Sequence, residues 1–240
     1  MPSVYSKEPN PIILTALIKS GNLKQLIKFL KKFPNIFKDI EYLRVCAINN
    51  KLDIAKWLVS IDCPFKDEDC ISRCAAMYAD AKFFEFIHKL GCIISEHCYD
   101  YAAESGNLSV LKYMRSVQIL EGWVSFNKIL ENAEDHYNVI EWCFENGAKP
   151  NKDFITYIII GSFNANFNDT VAIIELARKH NAEWSCETSF TAAKQGNVPL
   201  LQWLYKNKCP VDVLRICKAI RNGSITIDLT SFQNKIYNNM

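Results

Sequence analysis

The sequence predicts an all-α protein in which about seven to eight helix–turn–helix repeats stack as a solenoid. The phrase "YAAESGNLSVLKYM" at Tyr101–Met114 returns in altered form as "FTAAKQGNVPLLQWL" at Phe190–Leu204. Related segments recur along most of the chain, and only eight Gly and eight Pro occur among 240 residues, which disfavours a loop-rich all-β fold. A recurring helical hairpin cannot bury its apolar face alone, so its copies are expected to stack.

The copies fall into register when the Gly of Ser-Gly-Asn is taken as an anchor. Successive anchors are 27 to 29 residues apart, except for one interval of 34. The anchor positions are Gly21, Asn50, Ala79, Gly106, Asp135, Asp169, Gly196 and Gly223. The long interval contains the polar segment "FNANFN", which predicts a widened loop.

The segment after each anchor has the periodicity of an amphipathic helix. Apolar residues occupy the fourth, fifth and eighth positions after the anchor, as in Val110, Leu111 and Met114. These positions share one side of a helix with 3.6 residues per turn. Large apolar residues at the seventh position widen this stripe and are predicted to lie in the core: Trp57, Phe86, Tyr113, Trp142, Leu176 and Trp203.

A shorter first helix is predicted before each anchor, and the anchor marks the turn between the two helices. Ala pairs in this helix allow close helix approach: Ala75-Ala76, Ala102-Ala103 and Ala192-Ala193. Gly suits the left-handed residue that ends a helix, and the Asn that follows it can cap the next one. The capping residues predicted in this way are Asn22, Asn107 and Asn197. Asp135 and Asp169 replace Gly, which predicts a strained turn or one of another form.

The pattern also predicts the domain organisation. Residues 1–10 precede it and are predicted to form a flexible N-terminus. Residues 11–240 are predicted to form one repeat domain, with Pro11 in the first helical turn. The periodicity ends after Gly223, and the remaining segment predicts an irregular C-terminal cap of the kind that solenoids need.

The phrase "AAESGNLSVLKYM" resembles an ankyrin repeat, in which an Ala pair, a Gly and an apolar helix follow one another in this order. The resemblance covers roughly residues 12 to 223. The usual ankyrin period is about 33 residues, and the Thr-Pro-Leu-His opening is absent here. The resemblance therefore implies an ankyrin-like solenoid with reduced hairpin fingers. "SIDCPF" and "NKCPVD" look like the short ankyrin type that is abundant in large DNA viruses of amoebae and in some protists.

The resemblance implies protein–protein interaction rather than catalysis. The expected function is an adaptor or a host-factor-binding scaffold, monomeric, with another protein on the concave face and no nucleic-acid or membrane partner. In ankyrin-like stacks the exposed end of the first helix lines that face. The two residues before each anchor hold these positions, and the candidate partner-binding residues are Tyr78, Glu104, Glu134, Lys194 and Arg221. The alternatives are a structural, self-assembling virion protein and an enzyme with a site in the groove.

No pattern in the sequence indicates catalysis or a cofactor. The four His residues lie in different repeats, and no nucleophile, phosphate-loop or HExxH motif occurs. Cys70 and Cys74 are one helical turn apart, as are His88 and Cys92, and this spacing could supply zinc ligands. No CxxC pair occurs, however, and the positions that recur in the repeat favour packing: Cys63, Cys92 and Cys209. The prediction is no metal, with this group left open.

Charge and hydropathy point to a cytoplasmic protein, or to the host cytoplasm if the chain is viral. The net charge of +2 does not favour nucleic acid or membrane, and the N-terminus "MPSVYSKEPNP" lacks the apolar core of a signal. The longest apolar run, "FITYIII", is too short for a membrane span. Reduced thiols are therefore expected. The lysines of the first repeat are predicted to form a solvated outer face: Lys19, Lys24, Lys28, Lys31 and Lys32.

Overall fold

The computed structural model describes residues 11–33, 41–63, 70–119, 124–133, 135–162 and 166–224. These residues hold fifteen α-helices and no strand, which confirms the all-α prediction. The chain forms two compact units with the boundary between Val124 and Ser125. The predicted flexible N-terminus, residues 1–10, lies outside the described residues, as does the segment 225–240 of the predicted C-terminal cap.

The first unit contains eight described helices. They are α1 (Pro11–Ser20), α2 (Leu23–Lys32), α3 (Glu41–Ile48), α4 (Leu52–Ser60), α5 (Cys70–Tyr78), α6 (Ala81–Lys89), α7 (His97–Glu104) and α8 (Leu108–Ser116). The second unit contains seven. They are α9 (Phe126–Asn132), α10 (Tyr137–Glu145), α11 (Phe154–Gly161), α12 (Phe167–Lys179), α13 (Cys186–Lys194), α14 (Val198–Lys206) and α15 (Val213–Arg221).

Each odd-numbered helix from α1 to α13 packs on the even-numbered helix that follows it, and the two form a hairpin. Between neighbouring hairpins, odd-numbered helices pack on odd-numbered helices and even-numbered helices on even-numbered ones. In the first unit, α1, α3, α5 and α7 contact one another in succession, and α6 contacts α8. In the second unit, α11, α13 and α15 do so, as do α10, α12 and α14. That residues 11–240 form a single domain stays a prediction.

The buried stripe of the even-numbered helices is the one that the sequence predicts. Among the described residues, each apolar residue at the fourth and fifth positions after an anchor is buried, and those at the eighth position are buried except Phe29. The predicted core position of the seventh residues is wrong in most copies: Leu176 is buried, but Trp57, Phe86, Tyr113, Trp142 and Trp203 are half-buried. Successive residues turn by about 100°, which places the seventh position roughly 100° from the centre of the stripe.

The predicted turn is confirmed at the Gly anchors. Gly21, Gly106, Gly196 and Gly223 have φ between 69° and 75°, the left-handed conformation that ends a helix without a Cβ penalty. Asn50 takes the same role with φ 49°. The predicted caps are confirmed as well. The side-chain oxygens of Asn22, Asn107 and Asn197 accept hydrogen bonds from the backbone N–H groups three residues ahead.

Asn107 also joins two neighbouring hairpins. Its Oδ1 caps α8, while its Nδ2 donates to the carbonyl oxygens of Ala76 (2.9 Å) and Ala79 (2.6 Å) at the end of α5. One side chain therefore satisfies a backbone donor at the start of one helix and two acceptors at the end of another. A carboxylate could cap α8 but could not donate, so the amide is required for the link to α5.

The anchor register is wrong at one place in the second unit. Asp135 is confirmed as a turn residue, because it lies between α9 and α10 and its carbonyl oxygen accepts from the Tyr137 N–H as that of Gly106 accepts from the Leu108 N–H. The turn is longer on its α9 side, where the buried Ala133 directly follows the helix as the buried Ala79 follows α5. Asp169 lies in the first turn of α12 and not in a turn between helices.

The polar insert explains the position of Asp169. The side chain of Asn166 accepts a hydrogen bond from the N–H of Asn168 and caps α12, so that helix begins at Phe167 and runs for 13 residues. The segment predicted to be a widened loop is thus partly helical. Its residues 163–165 lie outside the described part of the chain.

Substitution of Asn107 by Ala should destabilise the protein more than the same change at Asn22. Asn22 provides only the cap, and its loss should cost about 1 kcal/mol. At Asn107 two further hydrogen bonds are removed, so the total should be about 2 to 4 kcal/mol. Urea unfolding of both variants measures the difference, and equal costs would show that the link from Asn107 to α5 contributes nothing.

Candidate interaction surface

The ends of the odd-numbered helices carry exposed side chains, which together are called here the first-helix surface. Four of the five predicted partner-binding residues belong to it: Tyr78 ends α5, Glu104 ends α7, Lys194 ends α13 and Arg221 ends α15. All four are exposed, and the exposed fraction of Tyr78 is 52%. The fifth, Glu134, lies outside the described residues. The paired residue Ala133 is buried and does not belong to this surface.

Each unit has its own part of the first-helix surface. In the first unit, α3, α5 and α7 contact one another in succession and bring Ile48, Tyr78 and Glu104 onto neighbouring helix ends. Ile48 is 40% exposed, so this part combines two apolar groups with one carboxylate. In the second unit the corresponding helices are α9, α11, α13 and α15.

A groove of about 610 Å³ lies between α9 and α11 in the second unit. Its floor is formed by Leu130, Phe154 and Ile158, which are buried apolar residues. Glu131 and Asn151 supply polar groups at its rim. Its volume is in the range typical of binding sites that enclose a ligand or a bulky side chain.

Two large apolar side chains on α11 stand at the rim of this groove. Tyr157 is 59% exposed and Ile160 is 53% exposed, whereas Ile158 and Ile159 between them are buried. The buried pair corresponds to Ala192-Ala193 of α13, which makes Ile160 the equivalent of Lys194. Sequence reasoning missed both residues because Asp169 was taken as the anchor of this repeat. The sequence signal for them is that Tyr157 and Ile160 are three residues apart in a helix that is apolar along nearly its whole length.

Beyond the groove the surface becomes cationic. Lys194 on α13 and both Lys218 and Arg221 on α15 are exposed, and among the described residues none of the three has an ion-pair partner. The side chain of Gln195 donates to the carbonyl oxygen of Ile160 (3.2 Å) and holds the ends of α13 and α11 together. Neighbouring packed helices are about 8 to 10 Å apart, so these cations lie one and two helix spacings from Ile160.

A second groove in the second unit is lined mainly by residues of α12 and α14. Trp184 and Trp203 line it with Arg178, and its volume is about 460 Å³. The Arg178 guanidinium lies 4.5 Å from the Trp184 ring centroid and donates to the Ala182 carbonyl oxygen. These contacts give the two aromatic rings a structural role.

The group left open as a metal site does not come together in the described residues. Cys70 and Cys74 are neighbours on α5 and Arg44 lies near Cys70, but His88 pairs with the Tyr113 hydroxyl at 2.9 Å. No cluster of three or more His, Cys, Asp and Glu that could hold a metal occurs in the part of the chain described. His180 stacks on Phe144 with ring centroids 4.5 Å apart.

All ten cysteines are thiols rather than disulfides, and burial disfavours ionisation of two of those placed in the core, Cys46 and Cys209. Burial, assisted by the neighbouring Cys63, raises the pKa of Cys46 to about 12. Burial and the nearby Cys186 likewise raise the pKa of Cys209 to about 12. Cys63 and Cys209 are buried as predicted for packing residues, while Cys92 is half-buried.

Two further observations concern the environment of the chain. The five lysines of the first repeat are all exposed, in agreement with a solvated face. Among the described residues no helix has both the length and the apolar character needed to cross a membrane.

Neither the family models nor the curated proteins searched provide a match to the sequence, so the ankyrin resemblance stays a hypothesis.

Thiol alkylation at about pH 8 should distinguish the cysteines, because the thiolate is the reactive form. Cys186 is exposed and should react first, while Cys46 and Cys209 should react only after unfolding. Mass spectrometry of tryptic peptides locates the label. A Cys186→Ser variant, the control, should lose the fast phase, and fast labelling of native Cys209 would contradict the buried position.

The same thiols should make the folded state less stable at alkaline pH. Between the ordinary thiol pKa of 9.0 and about 12, Cys209 stays protonated when folded but ionises when unfolded. The unfolded state then binds fewer protons, so the free energy of unfolding falls as pH rises through this window. Chemical denaturation from about pH 8 to about pH 11 should show a shallower decline for Cys209→Ala than for the wild type.

Proposed function

We propose that the chain is a protein–protein interaction module, an adaptor or host-factor-binding scaffold that holds its partner on the first-helix surface. The observation that carries the proposal is the exposure of Tyr157 and Ile160 beside the groove between α9 and α11. Helix α11 is apolar along nearly its whole length, yet it leaves these two side chains in solvent. Exposed apolar groups beside a groove and rimmed by polar residues are typical of interaction sites.

The fold that we propose for this function is an ankyrin-like solenoid with reduced hairpin fingers. Support comes from the contacts of like helices in each unit, from the Gly and Asn turns, and from the exposed helix ends. In such a stack the apolar stripes hold the hairpins together, so the helix ends are free to differ in chemistry. The described ends include Tyr78, Glu104, Ile160, Lys194 and Arg221, which differ in size and charge.

The proposal also covers the setting in which the module acts. We place it in the cytoplasm, in the host cytoplasm if the chain is viral, as a monomer and without a cofactor. Among the described histidines, His88 contacts Tyr113 and His180 contacts Phe144, and these contacts are structural. No observation favours a groove enzyme over the adaptor.

Affinity capture with two matched variants tests the proposed function. The surface variant carries Tyr78→Asp, Glu104→Lys, Lys194→Glu and Arg221→Glu. The control variant carries Tyr137→Asp, Glu145→Lys, Lys56→Glu and Lys206→Glu, which are exposed positions on even-numbered helices. Proteins that the immobilised wild type retains from a eukaryotic lysate should be lost by the surface variant and kept by the control. Mass spectrometry identifies them, and thermal melting confirms that both variants fold.

Two results would contradict the adaptor. If the surface variant retains every partner of the wild type, the binding surface lies elsewhere. If light scattering shows that the wild type forms large assemblies of itself, the structural alternative is favoured.

A further inference from the structure

The first-helix surface of the second unit changes character from one helix to the next. Apolar groups occur at Tyr157 and Ile160 on α11, and cations follow on α13 and α15 at Lys194, Lys218 and Arg221. The contacts of α11 with α13 and of α13 with α15 fix this order, and the bond from Gln195 to Ile160 fixes the first step. Among the described residues, the apolar groove is therefore followed in one direction by the cations at the ends of α13 and α15.

The nearby carboxylates do not neutralise these cations. Glu187 on α13 is engaged by the Arg215 guanidinium through two contacts, of 2.5 and 3.3 Å. The side chain of Asp212 accepts from the Arg215 N–H and caps α15. Arg215 also covers the Phe190 ring at 3.7 Å, which keeps this ion pair in place. The cations that remain are available to an outside anion.

Resting on the proposed function, we propose that this surface binds an acidic peptide segment that places one bulky apolar side chain in the groove between α9 and α11. The groove and its rim residues, Tyr157 and Ile160, desolvate the apolar side chain, which supplies a central anchor. Asp or Glu residues on one side of that anchor then lie over Lys194, Lys218 and Arg221. Exposed opposite charges of this kind determine specificity and association rate more than affinity.

Segments of the opposite charge are disfavoured by the same geometry. A basic stretch on the α13–α15 side would bring like charges together, which costs free energy and slows encounter. A nucleic acid would satisfy the cations, but a phosphate backbone offers no aliphatic group for the groove. The surface therefore selects for the combination of an apolar anchor with acidic residues on one side.

Selection from a random peptide library displayed on phage, with the immobilised full chain, tests the proposal. Peptides of about twelve residues span several helix spacings when extended. Enriched sequences should contain Trp, Phe, Leu or Met with at least two acidic residues on one side of it. Absence of enrichment, or enriched peptides without the acidic residues, would overturn the proposal. Enrichment of basic peptides would do so as well.

Affinities of one enriched peptide, synthesised with a fluorescent label, locate the binding site. Ile160→Asp should weaken binding about tenfold or more, and the double change Lys194→Glu with Arg221→Glu should do the same at low salt. The matched controls are Ile93→Asp, an isoleucine that is 58% exposed in the first unit, and Lys206→Glu with Lys208→Glu at the end of α14. The controls should stay within about twofold of the wild type.

Two further measurements separate the apolar and ionic contributions. Raising salt from about 50 mM to about 500 mM should reduce the effect of the charge reversal but not that of Ile160→Asp. A peptide whose acidic residues are replaced by Lys should bind the charge-reversed variant better than the wild type. Unchanged binding by folded Ile160→Asp would overturn the groove assignment. If the surface variant still loses the captured partners, the proposed function then stands although this inference fails.

Discussion

The structure depends on one constraint, which is that a helical hairpin of this size has more apolar surface than it can bury within itself. The stripe at the fourth, fifth and eighth positions of each even-numbered helix covers one side of that helix, and it is buried in nearly every copy. The small Ala pairs of the odd-numbered helices are buried too, because like helices of successive hairpins contact one another there. Burial thus comes from neighbours, and each hairpin depends on the next.

Hydrogen bonds at the helix ends also link neighbouring hairpins. Every hairpin has helix ends whose backbone donors and acceptors lack partners inside the helix. The Gly and Asn of the turn satisfy several of them locally, through a left-handed residue and a side-chain cap. Asn107 also links two hairpins, because its side-chain amide donates hydrogen bonds to the carbonyl oxygens of Ala76 and Ala79. The packing of α5 on α7 and of α6 on α8 and the hydrogen bonds of Asn107 therefore fix the same register between the two hairpins.

In this arrangement the ends of the odd-numbered helices contribute little to packing. Tyr78, Glu104, Lys194 and Arg221 at these ends are exposed, so their chemistry is not constrained by packing. Glu104, Ile160 and Lys194 hold comparable positions with different charge and size. An apolar side chain in such a position is exposed to water, and packing does not offset the unfavourable free energy of its hydration. For this reason the proposed function is assigned to the exposed Ile160 and Tyr157 rather than to the buried isoleucines of the same helix.

The sequence by itself determined the features that arise within a few residues of one another. Gly21, Gly106 and Gly196 were found as turns, and Asn22, Asn107 and Asn197 as caps, because left-handed backbone and capping hydrogen bonds are local. The buried stripe was also found, since helical periodicity alone defines it.

Tertiary structure decided the rest, because it depends on which helix lies against which. Ile158, Ile159 and Ile160 are identical in the sequence, yet only Ile160 is exposed, as the neighbouring helices cover the other two. The bonds from Asn107 to α5 have the same origin. The register of the sixth repeat was misplaced because Asn166 caps α12 ahead of Asp169, so that helix begins inside the polar insert. The groove between α9 and α11 is formed by residues far apart in the chain, so no local pattern could predict it.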